Sequence, residues 1–132
     1  MALDYNKIRF YGVLNSNESY LVGSGEHIFQ GSAVCVNSAG YLVTARIGAA
    51  FVGFARFGCD NRNGPAGAHR VDVQTDGKVI LEVPGASVVD NNMTPVYAAD
   101  DDTFQFDNTL GEPLVGFVSR YNDGDQCVVK FG

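Results

Sequence analysis

The chain has 132 residues, with nine Lys and Arg against fifteen Asp and Glu, a net charge of −6 and a pI near 4.6. That length predicts one domain able to bury a core without staples, and that charge argues against a nucleic-acid backbone as partner. Aromatic and β-branched residues punctuated by sixteen glycines, with no long helical periodicity, predict an all-β fold: a small antiparallel β-barrel or sandwich with little or no helix.

In chain order, residues 1 to 14 carry Leu3, Tyr5, Ile8, Phe10, Tyr11, Val13 and Leu14. A stretch this apolar is expected to dock, either as a first strand of its own domain or as an arm laid on a partner. It lacks the charged start and apolar run of a secretory leader. The chain has no apolar stretch long enough to span a bilayer, so no membrane partner is expected. Residues 15 to 132 read as a single β domain. Asn15 to Gly25 is polar and predicted to be a loop, after which His27-Ile28-Phe29 leads to a strand at Ala33-Val34-Cys35-Val36. A turn at Asn37 to Gly40 follows. Thr44 to Ala50 is the best place for a short helical turn, and Phe51 to Phe57 is a predicted strand. Gly58 to Ala68 is long for a loop in a compact domain, which points to an exposed segment or one used for contact.

Two hairpins are predicted. With Thr75, Asp76 and Gly77 as a three-residue loop, Val73 faces Val79, Val71 faces Leu81 and Arg70 faces Glu82. With Asn122, Asp123 and Gly124 as the loop, Phe117 faces Val129, Val115 faces Phe131 and Ser119 faces Cys127. Alternation then puts Val115, Phe117, Cys127, Val129 and Phe131 on one face, and Arg120, Gln126 and Lys130 on the other. A two-residue loop would set Phe117 opposite Lys130.

An internal repeat runs through the chain. The segment Ala33 to Phe54 echoes Pro95 to Phe117, with an offset of 62 at Val34/Val96 and 63 at Val52/Val115. Five identities carry it: Val34/Val96, Gly48/Gly111, Val52/Val115, Gly53/Gly116 and Phe54/Phe117. Two similar halves closing on one core are expected.

The residues hold little that reads as catalysis. Asp60-Asn61-Arg62-Asn63-Gly64 has the composition of a calcium loop, but Arg62 stands where an oxygen ligand is needed and Val71 where the bidentate Glu belongs. Asp100-Asp101-Asp102 is the densest acid cluster; it reads as a solvated turn with a side chain bonded to nearby amides, cation binding being the minor alternative. His27 and His69 lack the pattern of a metal site. Neither a serine elbow nor a Cys with a His signature occurs, and Gly23-Ser24-Gly25 is not a phosphate loop. Cys35, Cys59 and Cys127 read as reduced thiols of a protein made inside a cell, Cys35 and Cys127 acting as small apolar strand residues. A binding or structural module is therefore expected rather than an enzyme, with no cofactor and no metal.

Thr-Pro-Val-Tyr-Ala-Ala-Asp-Asp-Asp-Thr-Phe at 94 to 104, Pro113-Leu114-Val115-Gly116-Phe117-Val118 and the last strand Cys127-Val128-Val129-Lys130-Phe131 resemble a family of tailed-phage capsid decoration, or cement, proteins. Gly31 to Val34, Phe51 to Ala55 and Gly67 to Val73 fit the same pattern, so the resemblance covers about Gly31 to Phe131. It implies a virion protein made in the host cytoplasm that binds the major capsid protein on the outer surface of an expanded bacteriophage head. It also implies self-association, as a homotrimer or alternatively a dimer. On that basis the capsid contact is expected at Leu3, Tyr5, Ile8, Phe10 and Tyr11 and at the loop residues Asn61, Arg62 and Asn63. A carbohydrate-binding or adhesion module is the alternative, against which stand the absence of Trp and the few clustered aromatics. A metal-dependent hydrolase using Asp100 to Asp102 ranks third.

Overall fold

Most short apolar runs between glycine-marked turns become strands in the computed structural model, which describes residues 17–132. The predicted arm at 1 to 14, with Leu3, Tyr5, Ile8, Phe10 and Tyr11, lies outside the described residues. The strands are β1 (Asn17–Leu21), β2 (His27–Ile28), β3 (Ala33–Val36), β4 (Leu42–Thr44), β5 (Ala50–Ala55), β6 (Cys59–Asp60), β7 (Arg70–Gln74), β8 (Gly77–Glu82), β9 (Pro95–Ala98), β10 (Phe104–Gln105), β11 (Leu114–Asp123) and β12 (Gln126–Phe131). They build two five-stranded antiparallel sheets, ordered β1-β7-β5-β3-β4 and β10-β9-β11-β12-β8, and a ribbon of β2 with β6. The all-β expectation holds, and of its two forms the structure takes the sandwich: the sheets stack and do not close into a barrel.

The repeat is visible in the hydrogen-bond registers. Ala33 pairs with Phe54 and Val34 with Gly53, then a bulge at Val52 brings Cys35 opposite Phe51. In the other sheet Pro95 pairs with Phe117 and Val96 with Gly116, then a bulge at Val115 brings Tyr97 opposite Leu114. The next strand matches too, since Phe54 and Ala55 face Gln74 and Val73 as Phe117 and Val118 face Lys130 and Val129. A bulge shifts every later side chain by one position, so its recurrence at Val52 and Val115 fixes the facing of both halves.

The halves do not close on one shared core, as the sequence led us to expect. Val96, Val118, Val129 and Phe131 pack against Ala33, Cys35, Val43 and Phe54, filling the space between the sheets. Their repeat equivalents Val34, Ala55 and Val73 point the other way, into a second core with Leu42, Val71, Val22 and Ile28 of the β2–β6 ribbon. The second sheet thus lays its front on the back of the first. The two halves are stacked in series rather than face to face.

Four local expectations are corrected. The last hairpin turns at Gly124 and Asp125 and pairs Phe117 with Lys130, Val118 with Val129 and Gly116 with Phe131, with bulges at Ser119 and Asn122 absorbing the offset. Phe117 therefore points outward, 42% exposed, and Val118 takes the core position. The reason is room: Phe54 and Phe131 already meet edge to face between the sheets, with ring centres 5.0 Å apart, and another ring would overpack the space. The Thr75 to Gly77 turn is not a hairpin loop, because β7 pairs with β1 and β5 while β8 pairs with β12. Each strand alternates as predicted, with Val71, Val73 and Leu81 inward, but the two serve different cores. Asn17–Leu21, read as loop, is an edge strand along β7, and its polar outward side chains hid it. The helical turn falls at Val88–Asn91, not at 44 to 50, and the Asp90 carboxylate accepts the Ser87 N–H at its start.

Candidate functional site

The predicted contact loop is held to the ribbon by Asn61. Its side-chain amide donates to the carbonyls of Gly23 (2.9 Å) and Pro65 (3.0 Å), its own N–H donates to Glu26, and its carbonyl accepts from Gly25. The side chain is buried, with Oδ1 pressed against Gly64, where an added Cβ would lie 2.1 Å away. Of the three residues expected to contact a capsid here, Asn61 is thus turned inward, while Arg62 and Asn63 stand at the surface. Arg62 grips Asp60 with two side-chain bonds of 2.9 and 2.8 Å, and this guanidinium holds the Asp60 carboxyl well below the usual carboxylate range. A depressed carboxylate contributes above its unfolded pKa and loses that contribution as the pH falls. Both partners are open to water, so screening leaves the pair little weight. Asn61→Ala is expected to cost ~2 kcal/mol, since it strands two carbonyls, whereas Arg62→Ala should stay within ~0.5 kcal/mol. Urea denaturation of both variants measures the difference.

The acidic turn behaves as a backbone-capping loop. Asp100 Oδ1 accepts the Asp102 N–H at 2.9 Å, and this bond lowers the Asp100 pKa. Burial, then the charges of Asp100 and Asp102, push Asp101 up. The Asp101 carbonyl accepts the Ala33 N–H at 2.9 Å, tying the turn to the start of β3. Among the described residues, no three His, Cys, Asp or Glu side chains converge to hold a metal ion. His27 lies against Phe29 with ring centres 4.2 Å apart, and His69 lies exposed. Cys35 and Cys127 are free, buried and part of the inter-sheet core, and burial raises both thiols.

The surface that sequence reasoning missed is the back of the second sheet. The corrected register aligns Phe117, Lys130 and Lys78 in one row across β11, β12 and β8, with Arg120, Val128 and Ile80 in the next. Leu114 and Tyr97 extend it towards β9. Ile80, Leu114 and Phe117 are 57%, 44% and 42% exposed, and Met93 is exposed beside them. Phe117 and Lys130 form a ridge between two shallow grooves, one reaching Phe51 and Thr75 and the other Met93 and Ser119. An inward Phe117, as strand alternation alone places it, hides this face; the signal for the observed register is Gly116, where a Cβ would lie 2.1 Å from the Lys130 carbonyl oxygen.

Exposed apolar side chains interleaved with cations give this face the mixed character of a protein-contact surface. No family model matches this chain, and no curated protein matches it.

Proposed function

We propose that this chain is a structural protein that binds the outer surface of a viral capsid, joins neighbouring subunits of the major capsid protein and stabilises the DNA-filled head. The observation that carries the reading is where the decoration-protein-like motifs fall. Thr94 to Phe104 supplies β9, the acidic turn and β10, Leu114 to Val118 starts β11 and Cys127 to Phe131 forms most of β12, while Gly31 to Val34, Phe51 to Ala55 and Gly67 to Val73 reach β3, β5 and β7, so the motifs run along strands of both halves of the stacked repeat rather than through scattered loops. A block of this kind acts by adhesion: each additional contact to a neighbouring subunit forms at high effective concentration, and binding only the assembled shell stabilises it by mass action. The acidic turn and the net charge of −6 would keep decorated particles apart.

We assign the capsid contact to Leu3, Tyr5, Ile8, Phe10 and Tyr11 and, as a separate element, to Arg62 and Asn63 of the ribbon loop. Deleting residues 2 to 11 is expected to abolish co-sedimentation with expanded shells while leaving the strand signal in circular dichroism intact. Full occupancy of the heads by the truncated protein would overturn the assignment. Glycan-array binding in place of shell binding would favour the adhesion reading.

A further inference from the structure

The ribbon loop keeps Gly64 for a reason of packing and Asn63 for none that the fold supplies. Gly64 lies against the buried Asn61 side chain, so a side chain at 64 would push out the residue that closes the loop on Gly23 and Pro65. Asn63 stands exposed in the turn just before it, and among the described residues its side chain has no hydrogen-bond partner. Asn63-Gly64 is also the chain's sole Asn-Gly pair. The side chains of Asn37, Asn61, Asn91 and Asn122 are by contrast held by hydrogen bonds. The Gly64 N–H donates to the Asn61 carbonyl across 3.3 Å, long for such a bond and weak enough to open.

We propose that Asn63 is a site of spontaneous covalent modification, converted by water to aspartate and isoaspartate, and that the isoaspartate opens the loop. No side chain on Gly64 shields its backbone nitrogen. That nitrogen attacks Asn63 Cγ, the side-chain amide departs as ammonia with the nitrogen's proton, and a cyclic imide joins the two residues. Water then opens the ring. Attack at the former side-chain carbonyl gives aspartate, and attack at the main-chain carbonyl gives isoaspartate. One water is consumed, one ammonia is released, and nothing is oxidised or reduced. Both products place a new carboxylate beside Arg62, whose guanidinium already holds Asp60. Only isoaspartate lengthens the main chain, by one carbon, inside the short span that Asn61 bridges to Pro65. A span tied this closely has no slack for the added atom, so Gly23 and Pro65 can no longer both accept from the Asn61 amide.

The inference needs only water, so it is tested on the pure full chain and stands apart from capsid binding. Incubation at mildly alkaline pH, followed by intact mass and peptide fragmentation, should show a gain of about one mass unit at Asn63. The gain should come at least ~tenfold faster there than at any other asparagine, and should be absent at that position in Asn63→Gln. In the separated isoaspartyl form, hydrogen exchange should speed up at Gly25 and Asn61, whose N–H groups bond across the ribbon end. Asn63→Asp adds the charge without the extra carbon and should exchange like the natural chain. No gain at Asn63, or one no faster than at the other asparagines, overturns the modification site. Unchanged exchange in the isoaspartyl form, or equally fast exchange in Asn63→Asp, overturns the opening of the loop.

Discussion

Gly116→Val is expected to unfold the chain or cost it upwards of ~3 kcal/mol, and Gly53→Val is expected to do the same to the other half. A Cβ at 116 would sit 2.1 Å from the Lys130 carbonyl oxygen, and one at 53 would sit 2.1 Å from the Gln74 carbonyl oxygen. Both contacts are with backbone of the neighbouring strand, which cannot swing aside as a side chain can. Relief requires parting β11 from β12 or β5 from β7, and the ladder hydrogen bonds would be left unpaired. Gly53 carries the further strain of a φ of 154°, a conformation that side chains rarely adopt. Overpacking usually costs 1–3 kcal/mol because the surroundings give way; here the obstacle is main chain, so the upper end is the floor. Thermal denaturation of each variant checks the size. Equal damage from the two would show that the glycines do the same work in both halves. A melting temperature near that of the natural chain for either variant would mean that the strands approach less closely than described.

Those two glycines also show what the sequence could and could not convey. The repeat was legible because Val-Gly-Phe recurs at 52 to 54 and 115 to 117, and its glycine, its bulge and its strand pairing prove equivalent in space. The all-β class was legible because alternation and turn residues are local signals. Which face each strand shows to which neighbour was not. Val71 and Val73 match Leu81 and Val79 across a notional turn as well as they match the strands they actually meet, since a period of two cannot distinguish one sheet partner from another. A single bulge then reverses the facing of everything beyond it, and bulges leave no firm mark in sequence. Alternation alone therefore turns Phe117 inward and hides the cationic, apolar back of the second sheet. Asn61 follows a related pattern: an Asn in a polar loop reads as surface, but this one closes the loop on Gly23 and Pro65.

Phe54 and Phe117 hold one repeat position and should respond very differently to truncation. Phe54 faces the inter-sheet core, 8% exposed, with Phe51, Phe104 and Phe131 within 5.0–6.2 Å between ring centres. Phe54→Ala removes a ring from the centre of that cluster, and the facing sheets are held by their own ladders and cannot collapse into the void. A cost of ~3–5 kcal/mol follows, a large fraction of the 5–15 kcal/mol that separates typical folded and unfolded chains. Phe117 occupies the equivalent place on a sheet face that no described residue covers, 42% exposed, so Phe117→Ala leaves no cavity and should cost less than ~1 kcal/mol when the chain is monomeric. Urea denaturation at low protein concentration measures both on one scale. If the halves faced each other across a common core, the two substitutions would be equally severe; serial stacking makes the first severe and the second slight. A comparable loss at both positions would therefore remove the stacked arrangement on which the exposed outer face depends.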